Sequence, residues 1–247
     1  MTARRLRVLG PGRAGTALAG ALAAAGWSVA GPVRRGDDPS RAAEGVDLLV
    51  VATPDAAVAE AAAAVRPVAT TVVAHLAGSL GLDALAPHPR TAAIHPLVPI
   101  PDPATGARRL RGAWWAVAGD PIAHEVVAAL DGEAVQVDDA DRAAHHAAAV
   151  IASNHLVALM GQVERVAAAA GVPLAAYLDL AAAALANVTE LGPAAALTGP
   201  VARGDAATVA RHLAALPDDE RPAYVAMAAA AARLAGRDPG EVLPCGS

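Results

Sequence analysis

The stretch that most constrains this chain reads RVLGPGRAGTALAGAL, in which Gly10, Gly12 and Gly15 take the spacing G-x-G-x-x-G between an apolar run and an alanine-rich helical pattern. Where a strand feeds such a turn and a helix leaves it, each glycine has its own task. The first permits the tight bend, the second lets the backbone approach a pyrophosphate, and the third lets helix and strand pack closely. Arg13 and Ala14 then lie in the first helical turn, whose free N–H groups and positive dipole end suit a phosphate. The spacing alone is a weak signal in a chain with 22 glycines. Its surroundings must carry the argument.

Those surroundings alternate. Apolar runs that read as buried parallel strands fall at 6–10, 28–33, 46–53, 71–75, 92–95, 115–119 and 134–137, with helical patterns at 13–25, 56–65 and 121–130 between them. Alternation of this kind implies βαβ units and a parallel sheet. Beyond residue 138 the strand signal stops. A long helix is expected over 140–170, capped by Asp139 or Asp141 and ended by Gly171 and Pro173. Further helices follow at 174–191, 193–197, 206–216 and 222–235. The expected fold is therefore α/β, a doubly wound, mainly parallel sheet over 1–138, followed by an all-α domain over 139–247.

Composition narrows the partners. A formal net charge of −5 leaves no basic footprint for nucleic acid. The hydrophobic share is 55% with only 2% aromatic residues and no Phe, so the core must be closely packed from Ala, Val and Leu. The single Cys245 forms no internal disulfide, and no Cys/His cluster has metal spacing, so no metal is expected. The run 166–188 is mostly alanine and is interrupted by Gly171, Pro173 and Asp179. It reads as soluble helix rather than a membrane span, and with no export signal a cytoplasmic location is expected.

The second strand decides which dinucleotide would fit. A reader of the ribose 2′-hydroxyl is usually an Asp or Glu at the end of that strand. Here the run GPVRRGDD puts Arg34 and Arg35 in that place, with Asp37 and Asp38 slightly late. A guanidinium fork suits a 2′-phosphate, so NADP(H) is the expected cofactor; the alternative is a pair of merely solvated charges.

Polar residues at the carboxyl ends of the other strands are the next candidates, because ligands of open parallel sheets sit there. Thr53 and Pro54 end the third strand, His75 ends the fourth with Ser79 following, and His95 ends the fifth. Each histidine either donates a proton near neutral pH or serves as a satisfied structural residue. In DRAAHHAAAVIASNHLVAL, His146 and Asn154 fall eight residues apart on one helical face with Ser153 beside them, and His145 points elsewhere. These are read as catalytic or substrate residues, with a hydrogen-bonded structural contact as the alternative.

Taken together, the glycine loop, HLAGS, IHPL, the HHAAAVIASNHLVAL helix and ALTGPVARGDAATVARHLAAL resemble Rossmann-like proteins whose C-terminal half is a helical domain of unknown function. Such proteins are similar in architecture to the phosphogluconate dehydrogenase superfamily, with ketopantoate reductase and pyrroline-carboxylate reductase among its members. The resemblance implies hydride transfer between a nicotinamide and a C=O or C=N carbon at a domain cleft, in a dimer formed through the helical domain. It matches His146 and Asn154 to the family's His and Asn, whereas His145 stands where Tyr is common and Arg142 where Lys is common. Thr198, Gly199, Arg203, Gly204 and Asp205 match the last motif. There Asp205 is placed to cap a helix, and Arg203 either grips a substrate carboxylate or only braces the loop against Asp205.

The reading is an NADP(H)-dependent reductase of a small keto acid, such as 2-dehydropantoate, or of an imine. His146 is the proton donor, Asn154 orients the substrate, and His75 or His95 is the second candidate donor. Ser79, Ser153 and Arg203 bind substrate. The rival readings are an NADP(H) sensor without turnover and, more weakly, redox-neutral acid–base chemistry.

Overall fold

The computed structural model describes residues 3–243, so Cys245 and the expectation placed on it lie outside the described residues. One compact unit runs to Ser153 and a second begins at Asn154, fifteen residues after the break that the end of the strand signal suggested. The first unit retains the residues after 138 because Asp139 ties them back to it. Its carboxylate accepts from the Leu82 backbone N–H at 3.0 Å and from Arg142 Nε at 3.2 Å.

The strands of the first unit are β1 (Arg5–Leu9), β2 (Ser28–Val29), β3 (Leu48–Val51), β4 (Val72–His75), β5 (Thr91–Pro96), β6 (Trp114–Gly119) and β7 (Glu133–Gln136). They form one seven-stranded sheet in the order β2-β1-β3-β4-β5-β6-β7. Every pairing is parallel except β5 with β6. From β1 the chain crosses to β2 on one side and then to β3 on the other. The topological switch point, where such sheets take their ligands, therefore lies between the carboxyl ends of β1 and β3.

Alternation along the strands sends side chains to two cores, as strand geometry requires. On β3, Leu48 and Val50 face one core with Leu18 and Leu22 of α1 (Arg13–Ala24), while Leu49 and Val51 face the other with Val58 and Ala62 of α2 (Val58–Ala63). The helices α3 (Pro103–Arg109) and α4 (Ile122–Ala129) join the first face. The sheet is doubly wound, a Rossmann-type fold. Small residues set its packing distances, for a Cβ on Gly106 of α3 would lie 2.9 Å from the Ala17 methyl of α1.

Several expected elements differ in detail. The second strand shortens from 28–33 to two residues plus a single bridge at Val33, because Gly31 and Pro32 interrupt the ladder. Helix α3 was not expected, since a seven-residue segment beginning at Pro103 shows too little periodicity. Its start is marked by Asp102, which accepts from the Thr105 N–H at 2.9 Å. The single helix expected over 140–170 is instead α5 (Arg142–Val150), a π-helical stretch (Ile151–His155) and α6 (Leu156–Ala169). Neither Asp139 nor Asp141 caps α5 through its side chain, because Asp139 is engaged with Leu82 and Arg142.

The second unit is helical. It continues through α7 (Leu174–Leu191), the short α8 (Pro193–Ala196) and α9 (Pro200–Arg203), α10 (Ala206–Ala215) and α11 (Arg221–Leu234). Val201, Val209, Leu213, Ala228 and Ala232 form its core. Asp205 caps α10 as its place in the motif implied, accepting from the Thr208 N–H at 3.0 Å. Gly199 at φ +96° and Gly204 at φ +73° take the left-handed conformations that the two turns of TGPVARGD require.

Candidate active site

The glycine turn has the geometry of a phosphate cradle. At Gly10, φ is +79° and a Cβ would lie 2.8 Å from Thr53 Cγ2, so the two strand ends of the switch point touch there. A Cβ on Gly15 would lie 2.7 Å from the Ala52 methyl, which is the helix-to-strand contact expected of the third glycine. Gly12 is different, because a Cβ there would meet nothing within 4 Å. Its backbone is bare toward open space, and it stands at the N-cap of α1 with no side-chain cap and no acidic residue in the first turn. Thr53 Oγ1, buried beside this turn, has no hydrogen-bond partner among the described residues. Open backbone, an uncapped helix dipole and an orphan hydroxyl are the donor set that a dinucleotide pyrophosphate and its neighbouring ribose would satisfy. Arg13 and Ala14 occupy the first turn as expected, with Arg13 Nη1 reaching the Pro101 carbonyl at 3.4 Å, and Pro54 is exposed just beyond Thr53.

The segment after β2 is pinned to this cradle. The Gly10 N–H donates to the Val33 carbonyl at 3.0 Å, which sets Arg34 and Arg35 beside the turn. Both side chains are exposed and unpaired among the described residues. The two acids that follow are occupied locally. Asp37 accepts from the Arg34 N–H at 2.7 Å, and Asp38 accepts from the Ser40 hydroxyl at 2.8 Å. Both carboxylates are thus engaged within the turn, while both guanidinium groups stand without a partner among the described residues.

The ends of β4 and β5 and the start of α5 build a second cluster. His95, at the end of β5, faces Gly78 so closely that a Cβ there would lie 2.8 Å from His95 Cε1 and 3.0 Å from His95 Nε2, and it would also collide with His146 Nδ1. Gly78 is thus what lets both imidazoles reach the loop after β4. Periodicity alone turned His145 away, yet the structure pairs it with this site, with His145 Nε2 at 3.2 Å from His95 Nδ1. Ser79 is half-buried on the same loop.

His75 lies wholly buried at the end of β4 and holds the loop from beneath, its Nε2 3.2 Å from the Gly81 carbonyl. That hydrogen bond places the ring proton on Nε2 and leaves Nδ1 unpartnered among the described residues. Arg142 is fully buried too, with only its Nε paired, to Asp139. It braces the cluster and, as a guanidinium, holds its proton.

Electrostatics follow from this crowding of imidazoles with a buried guanidinium. Burial first, and then His145, His146, Arg142 and His75, push His95 down to about 4. Burial lowers His75 as well, opposed by its hydrogen bond to Gly81. Because folded His95 takes its proton at lower pH than the ordinary 6.5 of the unfolded chain, its contribution to stability is complete above about pH 6.5. It is lost as pH falls toward 4, by up to roughly 3 kcal/mol. Urea unfolding of wild type and His95→Gln at pH 7 and at about pH 4.5 checks this. The wild type should lose the greater stability on acidification, and equal losses would sink the assignment.

The remaining expected residues fall near or beyond the division between the units. Ser153 donates to the Ala149 carbonyl at 2.6 Å inside the π-helical stretch, which also contains Asn154. Its wider turn breaks the 100° spacing that put His146 and Asn154 on one face, and π-turns of this kind recur at functional sites. Arg203 is exposed and makes no ion pair with Asp205, whose carboxylate is spent on Thr208. Sequence reasoning missed His145 and Gly78. The adjacent histidines were visible, but nothing local indicated which of them would meet a strand fifty residues away.

Comparison with known proteins agrees with this architecture. Residues 116–231 match the family described as "Domain of unknown function (DUF2520)". No curated protein matches the chain. Among solved structures, a Bacteroides fragilis protein described as an NADP oxidoreductase is 20% identical over 94% of this chain and 98% of its own, with a TM-score of 0.77. The Plasmodium falciparum pyrroline carboxylate reductase with NADP bound is 12% identical over 94% of this chain and 95% of its own, at 0.63. A reductive aminase from Aspergillus terreus, solved with NADPH and ethyl levulinate, is 19% identical over 98% of this chain and 90% of its own, at 0.60. At these identities the likeness is one of fold. The chain joins an N-terminal Rossmann sheet to a helical C-terminal segment, with the match to DUF2520 beginning in β6 and running through the helices.

Proposed function

We propose that this protein is an NADP(H)-dependent oxidoreductase that reduces a C=O or C=N bond of a small metabolite, a keto acid or an imine. The observation that carries the reading is the pairing of an unobstructed Gly12 with two unpaired guanidinium groups whose neighbouring acids are already engaged. Bound NADPH would supply the hydride. The names of the structural neighbours, an NADP oxidoreductase and reductases solved with NADP or NADPH, support the same class. The protein's own tasks are to bind the dinucleotide through Gly10, Gly12, Gly15, Arg34 and Arg35, and to offer a proton from the imidazoles grouped at Gly78. Ser79, Ser153, Asn154 and Arg203 are the polar groups we assign to substrate. Parallel fluorescence titrations with NADPH and NADH test the cofactor, and a panel of keto acids and cyclic imines tests turnover. NADPH bound tightly with no turnover across the panel would favour a sensor, and binding of neither nucleotide would remove the reading.

We also infer that the working form is a homodimer built on the helical segment. No residue of α7 is buried, and Leu178, Leu180, Leu185 and Leu191 stand 46, 65, 53 and 59% exposed. Among the described residues α7 is the one helix long and apolar enough to cross a membrane by length and composition. Asp179, well inside it, would cost about 3 kcal/mol at a bilayer centre, which favours a protein partner over lipid. A second copy supplies a matching apolar face, as two-fold symmetry allows. Light scattering should give twice the chain mass for wild type and the chain mass for a Leu180→Glu, Leu185→Glu variant. A monomeric wild type at micromolar concentration would refute the dimer.

A further inference from the structure

We propose that His145 and His95 act as a two-imidazole proton relay, with His145 as the store of the proton and His95 as the group that hands it to substrate. The inference rests on the reductase reading and extends it to His145, which that reading does not use. The geometry is specific. His145 Nε2 lies 3.2 Å from His95 Nδ1, and the ring centroids are 5.5 Å apart with planes at 87°. With the centroids that far apart, the two nitrogens lie close to the line between ring centres. The contact is therefore an end-on N–H···N hydrogen bond and not a stack. The opposite nitrogen of His95, Nε2, lies on the side-chain side of Gly78, where an added Cβ would come within 3.0 Å of it.

The two ends of the relay differ in what they can hold. His95 is surrounded by His75 from β4, His145, His146 and Arg142 from α5, while Asp55 and Asp139 are the carboxylates that act on neighbouring His75, and His95 is held neutral over the whole neutral range. His145 is also lowered, by burial and then by Arg142 and His146, but without the large displacement of His95. A positive charge is therefore carried more readily by His145. With His145 protonated at both nitrogens, its Nε2–H donates to His95 Nδ1 and confines the His95 proton to Nε2.

Transfer then balances without charging His95. Hydride addition turns the C=O or C=N double bond into a single bond, and the electron pair left on oxygen or nitrogen takes the proton from His95 Nε2. The His145 Nε2 proton moves to His95 Nδ1, and both rings end neutral. When product leaves, a proton from water binds His95 Nε2, the shared proton returns to His145, and the pair is reset. His146, whose Nδ1 has no partner among the described residues, has no such reload on that nitrogen.

The test reads the tautomers directly in the full-length protein, by nitrogen-15 NMR of the histidine rings between about pH 5 and 8. Wild type should show His95 protonated at Nε2 with Nδ1 accepting a hydrogen bond. His145→Phe should release that preference, and His145→Gln, whose amide can still donate, should retain it. In turnover of the keto-acid and imine panel with NADPH, both variants should lose roughly 100-fold in kcat with KM and NADPH affinity unchanged, because neither side chain can take up and release a proton. Activity of wild type should fall as pH rises through the His145 midpoint, below the ordinary histidine range, and this dependence should vanish in both variants. A His95 ring that carries its proton on Nδ1, or a His95 signal indifferent to His145→Phe, would overturn the relay whatever the turnover. Absence of turnover with the NMR result as expected would instead strike the reductase reading.

Discussion

Replacing Arg34 and Arg35 together by alanine is expected to weaken NADPH binding about 100-fold and to leave NADH binding within a factor of about two. Two charge-assisted hydrogen bonds to one phosphate contribute about 3 kcal/mol between them after solvent exchange, and about 1.4 kcal/mol is a tenfold change in affinity. Both side chains are exposed, so truncating them costs the fold nothing comparable. The local turn also survives, since Asp37 accepts from the backbone N–H of Arg34 and not from its guanidinium. Fluorescence titration of both nucleotides against the double variant is the measurement. An unchanged NADPH affinity would mean that the 2′-phosphate is read elsewhere, or that no dinucleotide binds. A matched loss for NADH would point to damage in the glycine turn.

Gly12 and Gly15, three positions apart in the turn, should behave in opposite ways when each is changed to valine. Gly12→Val is expected to keep the melting temperature of the wild type and to lose NADPH binding by about tenfold or more. Its φ of −72° suits any residue, and a Cβ there meets nothing within 4 Å in the protein itself. Only a ligand approaching the backbone would feel the new side chain. Gly15→Val is expected to lose about 1–3 kcal/mol of stability, because its Cβ would lie 2.7 Å from the Ala52 methyl and 2.8 Å from Val8 Cγ1 in a packed core. Thermal and urea unfolding alongside nucleotide titration separates the two. If Gly12→Val bound NADPH as wild type does, the open cradle would be a feature of the fold with no bearing on the dinucleotide.

Much of this arrangement was legible in the chain before folding. The glycine turn, the strands around it and the arginine pair lie within 35 residues, and each announces itself through local chemistry: a turn that needs left-handed φ, apolar runs, and charge at a strand end. Asp205 and its helix were legible for the same reason, since a cap needs only the three residues that follow it. Helix α3 escaped because seven residues carry too little periodicity to separate helix from loop. The π-helical stretch escaped because Ile, Ala, Ser, Asn and His fit an ordinary helix equally well, and what widens the turn is not written in its composition.

The histidine cluster divides along the same line. That His95 ends a strand followed from the apolar run before it, and that His145 and His146 sit on a helix followed from the alanines around them. Which of the two meets His95 depends on how α5 is rotated about its axis against the sheet. That rotation is set by Asp139 reaching Leu82, by the burial of Arg142, and by the missing side chain of Gly78. The sequence by itself determined the sheet and the glycine turn, and it placed the arginine pair on which the proposed NADP(H) preference rests, because those depend on neighbours in the chain. Only the tertiary structure decided that His145 joins His95, because that pairing is made between residues fifty positions apart and is held by contacts that no local pattern encodes.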